Sequence, residues 1–307
     1  MLNDVQKHIL EIVADMAGIP DGAVNIRSDG TKAVRQNSEH SEITAKTDKD
    51  GIDIRIAPFT KHENVHIPVV LTESGRHDMV YNDFFVGEGA EVRIVAGCGI
   101  HNCGDCDSQH DGIHTFYVGK NAHVTYIEKH YAEGTGTGKR ILNPQTVVYL
   151  EEGATITMET SQIAGVDDTK RYTKCVAQGA NSEILITEKL LTHGDQHAVS
   201  EMDVILDGEG SRTRVISRSV AKEDSTQVFY PRVQGNTKCF GHVSCDAIIM
   251  GSAKVRAIPE ISCNHVDASL IHEAAIGRIA GEQLLKLQTL GLTAEEAEEK
   301  ILEGFLR

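Results

Sequence analysis

Two groups of residues in this chain carry donors suited to metal or sulfur chemistry. The first is Cys98-Gly-Ile-His101-Asn-Cys103-Gly-Asp-Cys106, followed by His110 and His114. Three thiols and three imidazoles in so short a stretch would suit zinc or an iron–sulfur centre, and Cys103 and Cys106 have the two-residue spacing common among metal ligands. A second such Cys pair is missing, so a loop between repeats with incidental Cys and His is the competing reading. The second group lies toward the C-terminus, where Cys245 stands in Cys239-Phe-Gly-His-Val-Ser-Cys245-Asp and His272 and Glu273 follow. Read alone, Cys245 among apolar residues is a small core hydrophobe, and His272 and Glu273 cap a helix.

The elements around these residues follow from patterning. Residues 3 to 17 place Val5, Ile9, Ile12, Val13 and Met16 on one helix face, stopped by Gly18 and Pro20. Residues 25 to 50 are polar and charged and read as loops with one weak strand. From Ile52 short β runs dominate to about residue 270, and within them a phrase recurs: Val86-Gly-Glu-Gly-Ala90, Val118-Gly-Lys-Asn-Ala122, Leu150-Glu-Glu-Gly-Ala154, each followed by an alternating strand. Ala90, Ala122 and Ala154 are spaced 32 residues apart, with looser copies near Ser182 and Ser211. A repeat of that length signals stacked coils, each spanning more than one face, hence a β-solenoid. From His272 the pattern turns helical: Ile276, Ala280, Leu284 and Leu287 share a face, Gly291 ends that helix, and Thr293 with Glu296 forms a capping box for another carrying Ala297, Ile301 and Phe305. The expected division is residues 1–50 as a helical and loop segment, 51–271 as the β core and 272–307 as a helical hairpin.

Composition narrows the function classes. With 307 residues and 40% hydrophobic content the chain can bury a sizeable core, while 45 acidic against 30 basic residues, a net charge of -15, disfavour a nucleic-acid surface. No apolar run approaches a membrane span, and the start has no signal pattern. Seven cysteines without an export signal point to reduced thiols in the cytoplasm rather than a disulfide framework. Gly134-Thr-Gly-Thr-Gly138-Lys139-Arg140 imitates a phosphate loop but is one residue short, with Arg140 where Ser or Thr belongs, and reads as a flexible turn. His193 and His197 have helical metal-ligand spacing, yet Gly194 and strand-like flanks indicate a polar loop.

The C-terminal third resembles the core of the SufB/SufD family of iron–sulfur cluster assembly scaffolds. The resemblance rests on Ser-Cys-Asp at 244–246, Ala-Ile-Pro-Glu-Ile at 257–261, His-Glu-Ala at 272–274, Gly-Arg-Ile at 277–279, Glu282-Gln283-Leu284, Gly-Leu at 291–292 and Gly304-Phe305. It implies a mainly β fold, a right-handed parallel β-helix with a short N-terminal helix and a C-terminal helical hairpin. It places Cys245 at the family's cluster-assembly cysteine and Glu273 at the carboxylate that completes the site across a subunit interface, with His272 assisting. Thiolate is a soft iron ligand and carboxylate a harder, weaker one, so the pair can hold a cluster and release it. The resemblance further implies a transient iron–sulfur cluster, a homodimer of the compact type found with one ATPase, an ABC-type ATPase docking around Glu282, Gln283, Leu284, Gly304 and Phe305, and apo iron–sulfur proteins as recipients. The chain itself is then a scaffold, not an enzyme. Two alternatives remain: a zinc-dependent hydrolase using the Cys98 to His114 group with an open position for water, and a carbohydrate-active β-helix enzyme, the latter opposed by the lack of Trp and an aromatic content of 5%.

Overall fold

A computed structural model describes residues 2–306. The repeat does what its spacing demands. The chain winds as a β-solenoid of about 8 turns, 56% strand, with three helices at its ends. Each coil contributes one long strand or two short ones to each of two 11-stranded sheets, and the long strands pair in parallel with the equivalent strand of the next coil. In the first sheet the succession runs Glu91–His101, His123–Glu133, Thr155–Ala164, Glu183–Thr192, Arg212–Ala221, Cys239–Ile249 and Ala268–Gly277. Residues alternate inward and outward along these strands, so each coil buries one face between the two sheets.

The recurring phrase is the corner where a coil enters this first sheet. Gly89, Asn121, Gly153, Asn181 and Gly210 all have φ between 55° and 75°, the left-handed region open to Gly and tolerated by Asn. The next residue points inward beneath its counterpart in the following coil. Ala90, Ala122, Ala154, Ser182 and Ser211 are each wholly buried, and the column continues to Cys239. A larger side chain at any level would push adjacent coils apart. Outside, Phe85, Tyr117 and Tyr149 stack ring on ring at 5.3 and 5.7 Å, repeating at the same interval.

The N-terminal helix, Asp4–Ala14, opens with a capping box in which Asn3 Oδ1 accepts from the Gln6 amide and Gln6 Oε1 from the Asn3 amide. It lays Ile9, Leu10 and Val13 against Val24, Ile26, Val70 and Val95. Close approach is possible because the strand beneath carries Gly97 and Gly99: a Cβ on Gly97 would lie 2.1 Å from the carbonyl oxygen of Val13, and one on Gly99 2.1 Å from Ile9 Cγ2. Gly97→Ala is therefore expected to lift the helix and cost about 1–3 kcal/mol, the usual range for overpacking. A denaturant titration checks this, and an unchanged midpoint would show that the helix gives way freely.

Three expectations need correction. Residues 25 to 50 are not mainly loop: Ala23–Ser28 pairs antiparallel with Thr31–Gln36, and Ser41–Ala45 with Gly51–Ile56. These strands sit at the starting edges of the two sheets, where Thr31–Gln36 has much of its surface exposed and needs little apolar sequence. The helical pattern from His272 is instead strand through Gly277, because Ala268, Leu270, His272, Ala274 and Ile276 continue the inward alternation in register with Cys239–Ile249. The helix begins at Gly281 and runs to Thr289; the last helix, Ala294–Leu306, has the expected Thr293/Glu296 capping box. Finally, the Gly134–Gly138 turn is packed rather than loose, its Gly136 and Gly138 amides donating to Asn102 and Gly104 carbonyls at 3.1 Å. His193 lies beside a turn, as the polar-loop reading expects, whereas His197 opens the strand His197–Leu206.

Candidate functional site

Cys245 and His272 meet inside the last full coil. Both occupy inward positions on adjacent strands, and Cys245 Sγ lies 3.3 Å from His272 Nε2. Cys245 is 4% exposed. Burial, reinforced by the negative charges of Glu188 and Asp246, pushes its thiol up to about 12. Burial also lowers His272 below the ordinary histidine range, with His242 adding to this and Glu273 opposing it. Thiol and imidazole therefore face each other as neutral groups near neutral pH, and a metal must displace the thiol proton before Cys245 can ligate it.

Glu273 is not with them. One residue beyond His272 the side chain points to the opposite face of the strand, where Glu273 Oε1 pairs with His242 Nε2 at 3.0 Å. Within one chain the structure brings Cys245 and His272 together and sets Glu273 on the outside. The strand that carries His272 and Glu273 is also the last of its sheet, so its outer edge has no partner strand among the described residues. Ile261, Ile271 and Ile276 are exposed in this terminal coil.

Behind Cys245 runs an inward column that sequence reasoning missed. Following the register away from the C-terminal end, Cys245 neighbours Ser217, then Glu188, Thr160 and Glu128. Glu188 accepts hydrogen bonds from Ser200 Oγ at 2.8 Å and Ser217 Oγ at 3.2 Å. Arg171, from the opposite sheet, donates to Glu128, reaches Glu188 Oε1 at 3.6 Å, and lies 3.3 Å from His130 Nδ1. Burial opposes ionisation of Glu128, but the Arg171 guanidinium prevails and holds its carboxyl well below the usual range. The available signal was the phase: Val124, Tyr126, Glu128 and His130 occupy the same inward alternation.

The Cys98 to His114 group does not converge, which corrects its reading as one metal site. Cys98 lies inward among Val69, Leu71, Ile100, Ala132, Leu142 and Val166, its thiol pushed far up by burial. His110 pairs with Asp78 at 3.1 Å and His114 with the Tyr126 hydroxyl at 2.7 Å, both buried in the other sheet's strand Ser108–Val118. His101, Cys103 and Cys106 remain at the turn between. Among the described residues no group of three or more His, Cys, Asp or Glu is placed to hold a metal. Strand alternation and the change of sheet separate residues that lie close in sequence.

The residues expected to meet a partner lie on the two C-terminal helices. Glu282 and Gln283 are exposed and Leu284 half-buried on Gly281–Thr289, a helix with no buried residue; Leu285 and Leu290 are exposed beside them. Gly304 is exposed and Phe305 half-buried on Ala294–Leu306, which is held to the solenoid through Ala297, Leu302 and an Arg218 hydrogen bond to the Phe305 carbonyl at 3.1 Å. No helix among the described residues is long and apolar enough to cross a membrane.

Comparison with known proteins agrees with this architecture. Residues 71–305 match the family model described as SUF system FeS cluster assembly, SufBD core domain. An iron–sulfur cluster assembly SufBD family protein of Methanothermobacter thermautotrophicus is 31% identical over 238 residues, covering 74% of this chain and 54% of that protein. Another from Archaeoglobus fulgidus is 29% identical over 281 residues, 89% of this chain and 72% of that protein, and a chloroplastic one from Arabidopsis thaliana 28% over 228 residues, 72% and 41%. The chain belongs to the SufBD family of iron–sulfur cluster assembly proteins. It spans about half the length of the Methanothermobacter relative.

Proposed function

We propose that the chain is a cytoplasmic scaffold on which an iron–sulfur cluster is built and then passed to apo-proteins, with Cys245 as the thiolate ligand. The carrying observation is the Cys245–His272 contact in the coil next to an unpaired sheet edge. A second copy of the chain meets this edge, burying the exposed isoleucines and bringing Glu273 of one subunit toward Cys245 of the other. Exposed edges with apolar residues favour such pairing. His272 accepts the proton that Cys245 must lose when iron arrives. An ABC-type ATPase docks on the C-terminal helices, where Leu285 and Leu290 give apolar anchors beside Glu282 and Gln283. Its ATP-driven movement opens the terminal coil, exposing a thiol that burial otherwise keeps protonated. The cluster is cargo in this scheme, and the chain performs no catalytic turnover of its own.

Anaerobic reconstitution with ferrous iron and sulfide tests the reading, following visible absorption and bound iron. Cys245→Ala should fold and self-associate as the wild type does while losing the stable cluster; Glu273→Ala should lose most of it. Undiminished cluster in Cys245→Ala with the wild-type spectrum would sink the assignment. The zinc and carbohydrate alternatives gain no support from the geometry: the proposed zinc ligands are scattered, and the outward ring stack is occupied with itself.

A further inference from the structure

Away from Cys245, the turn that joins strand Glu91–His101 to strand Ser108–Val118 carries a three-residue relay. Exposed Cys103 has its Sγ 3.0 Å from His101 Nε2, and His101 Nδ1 lies 3.0 Å from Glu133 Oε1. Glu133 is itself fixed, its other oxygen accepting from the Tyr131 hydroxyl at 2.8 Å. Although partial burial opposes it, the hydrogen bonds from His101 and Tyr131 hold the Glu133 carboxyl below its usual range. A carboxylate that orients an imidazole, which in turn faces a thiol, is the arrangement that prepares a sulfur nucleophile.

The turn is built to be rigid. Asn102, wholly buried, donates through Nδ2 to the carbonyls of Cys106 at 2.8 Å and Gly138 at 3.1 Å, and accepts from the Gly104 amide at 3.1 Å. The turn of the next coil lies against it so closely that a Cβ on Gly134, Gly136 or Gly138 would fall 2.1 Å from a carbonyl oxygen of Asn102, Gly104 or Cys106 respectively. On the other side Ser74 Oγ donates to the Cys106 carbonyl at 3.1 Å. Thr135 Oγ1 is 3.9 Å from Cys103 Sγ. The glycine run that imitates a phosphate loop is thus explained by stacking on the cysteine turn.

We infer that Cys103 and Cys106 form a thiol–disulfide exchange site, in which His101 held by Glu133 takes the Cys103 proton and the substrate is a low-molecular-weight disulfide. Cys103 sulfur attacks one sulfur of the small disulfide, whose S–S bond breaks and whose first thiolate leaves with the proton from His101. The Cys106 thiol then attacks the Cys103 sulfur of the mixed disulfide and loses its own proton to solvent. The second small thiolate is released, and Cys103–Cys106 becomes the disulfide. Two protein thiols are oxidised and one small disulfide is reduced to two thiols. Cys106 is suited to second place, since a hydrogen bond to Asp105 and the charges of Asp105 and Asp107 raise its pKa. The charged groups around the relay are Asp105 and Asp107 on its own turn, Glu133 with His8 of the N-terminal helix nearby, Lys139 on the next turn, and Glu73 with Arg76 on the preceding one.

Stopped-flow reaction of the full chain with 5,5′-dithiobis(2-nitrobenzoate), with mass spectrometry to locate each modification, tests this. Cys263 is exposed and serves as an internal control. At pH 7 Cys103 should react about three- to tenfold faster than Cys263, because an imidazole base held by Glu133 lies against its sulfur and Cys263 has no such relay among the described residues. His101→Gln should cancel the excess at pH 7, whereas at pH 10, where no base is needed, wild type and variant should react alike. Wild type should release two chromophores from the turn and retain none, while Cys106→Ser should stop at a mixed disulfide on Cys103. Equal rates for Cys103 and Cys263, or an excess that His101→Gln leaves intact, would overturn the relay. Retention of the chromophore on wild-type Cys103 would overturn the exchange with Cys106.

Discussion

Arg171→Ala is expected to be among the most damaging single substitutions in the chain, lowering stability by about 3–5 kcal/mol, the cost of removing one partner from a buried ion pair. Arg171 lies inside the solenoid between Glu128 and Glu188, all three nearly inaccessible to solvent. With the guanidinium gone, two carboxylates remain in a water-poor interior, Glu188 beside the Ser200 and Ser217 hydroxyls and Glu128 beside the Tyr126 hydroxyl and His130, with no cation to balance them. The pH dependence separates this cause from simple loss of packing. In the wild type the Glu128 carboxyl is held below its ordinary value, so its contribution is full above about pH 4.5 and is lost as pH falls toward the folded pKa. In Arg171→Ala, burial without the guanidinium raises the Glu128 carboxyl above its unfolded value, and proton uptake then relieves the strain as pH falls. Denaturant titrations at pH 7 and pH 5 should show the deficit narrowing at the lower pH. A deficit equal at both would mean that lost packing dominates. Arg171→Met with Glu128→Gln should recover part of the loss, since an apolar and neutral replacement no longer strands a charge at Glu128.

What could be read in the sequence was whatever the fold repeats. The Gly-Ala, Asn-Ala and Gly-Ala corners announce themselves because every coil needs a left-handed residue followed by a small inward one, and the same demand recurs at Asn181–Ser182 and Gly210–Ser211. Local rules also sufficed for Thr293 and Glu296, whose capping bonds involve only each other. Strand pairing was harder. His272 to Gly277 satisfies a helical spacing and a strand alternation at once, and the register with Cys239–Ile249 decides between them. The hairpins between residues 23 and 56 were obscured because edge strands can be polar on their open side. As for the site, the family motif pointed to Cys245, His272 and Glu273, but only the alternation of a strand shows that His272 turns inward and Glu273 outward. The Glu128–Arg171–Glu188 bridge was invisible because its cation comes from the opposite sheet, 43 residues beyond Glu128. The relay at Cys103 draws its carboxylate from the next coil, 32 residues beyond His101.

Acid should unfold the protein before most of its carboxylates are protonated, and His114 is a principal cause. Its ring is enclosed between Phe84 and Tyr126, with Nδ1 2.7 Å from the Tyr126 hydroxyl and Nε2 3.3 Å from the Asn82 amide nitrogen. Burial lowers its pKa to about 4, with the nearby charge of Glu128 opposing and His110, His130 and Arg171 assisting. An unfolded chain offers a histidine titrating at about 6.5. The unfolded state therefore binds the proton first: the contribution of neutral His114 is complete above about pH 6.5 and is lost as pH falls toward 4. From pH 7 to pH 5 that loss amounts to about 2 kcal/mol for this one group, by linkage between the two pKa values. His66 and His130 are lowered by burial as well and steepen the same slope, whereas Asp78 and Glu128, held well below their usual range, add to it only at lower pH. His114→Gln removes the proton uptake while keeping a polar side chain for the Tyr126 and Asn82 contacts. It is expected to cost stability at pH 7 yet to lose about 2 kcal/mol less than wild type between pH 7 and pH 5. Parallel losses in the two proteins over that interval would show that water reaches the ring in the native state and that His114 titrates there as freely as in the unfolded chain.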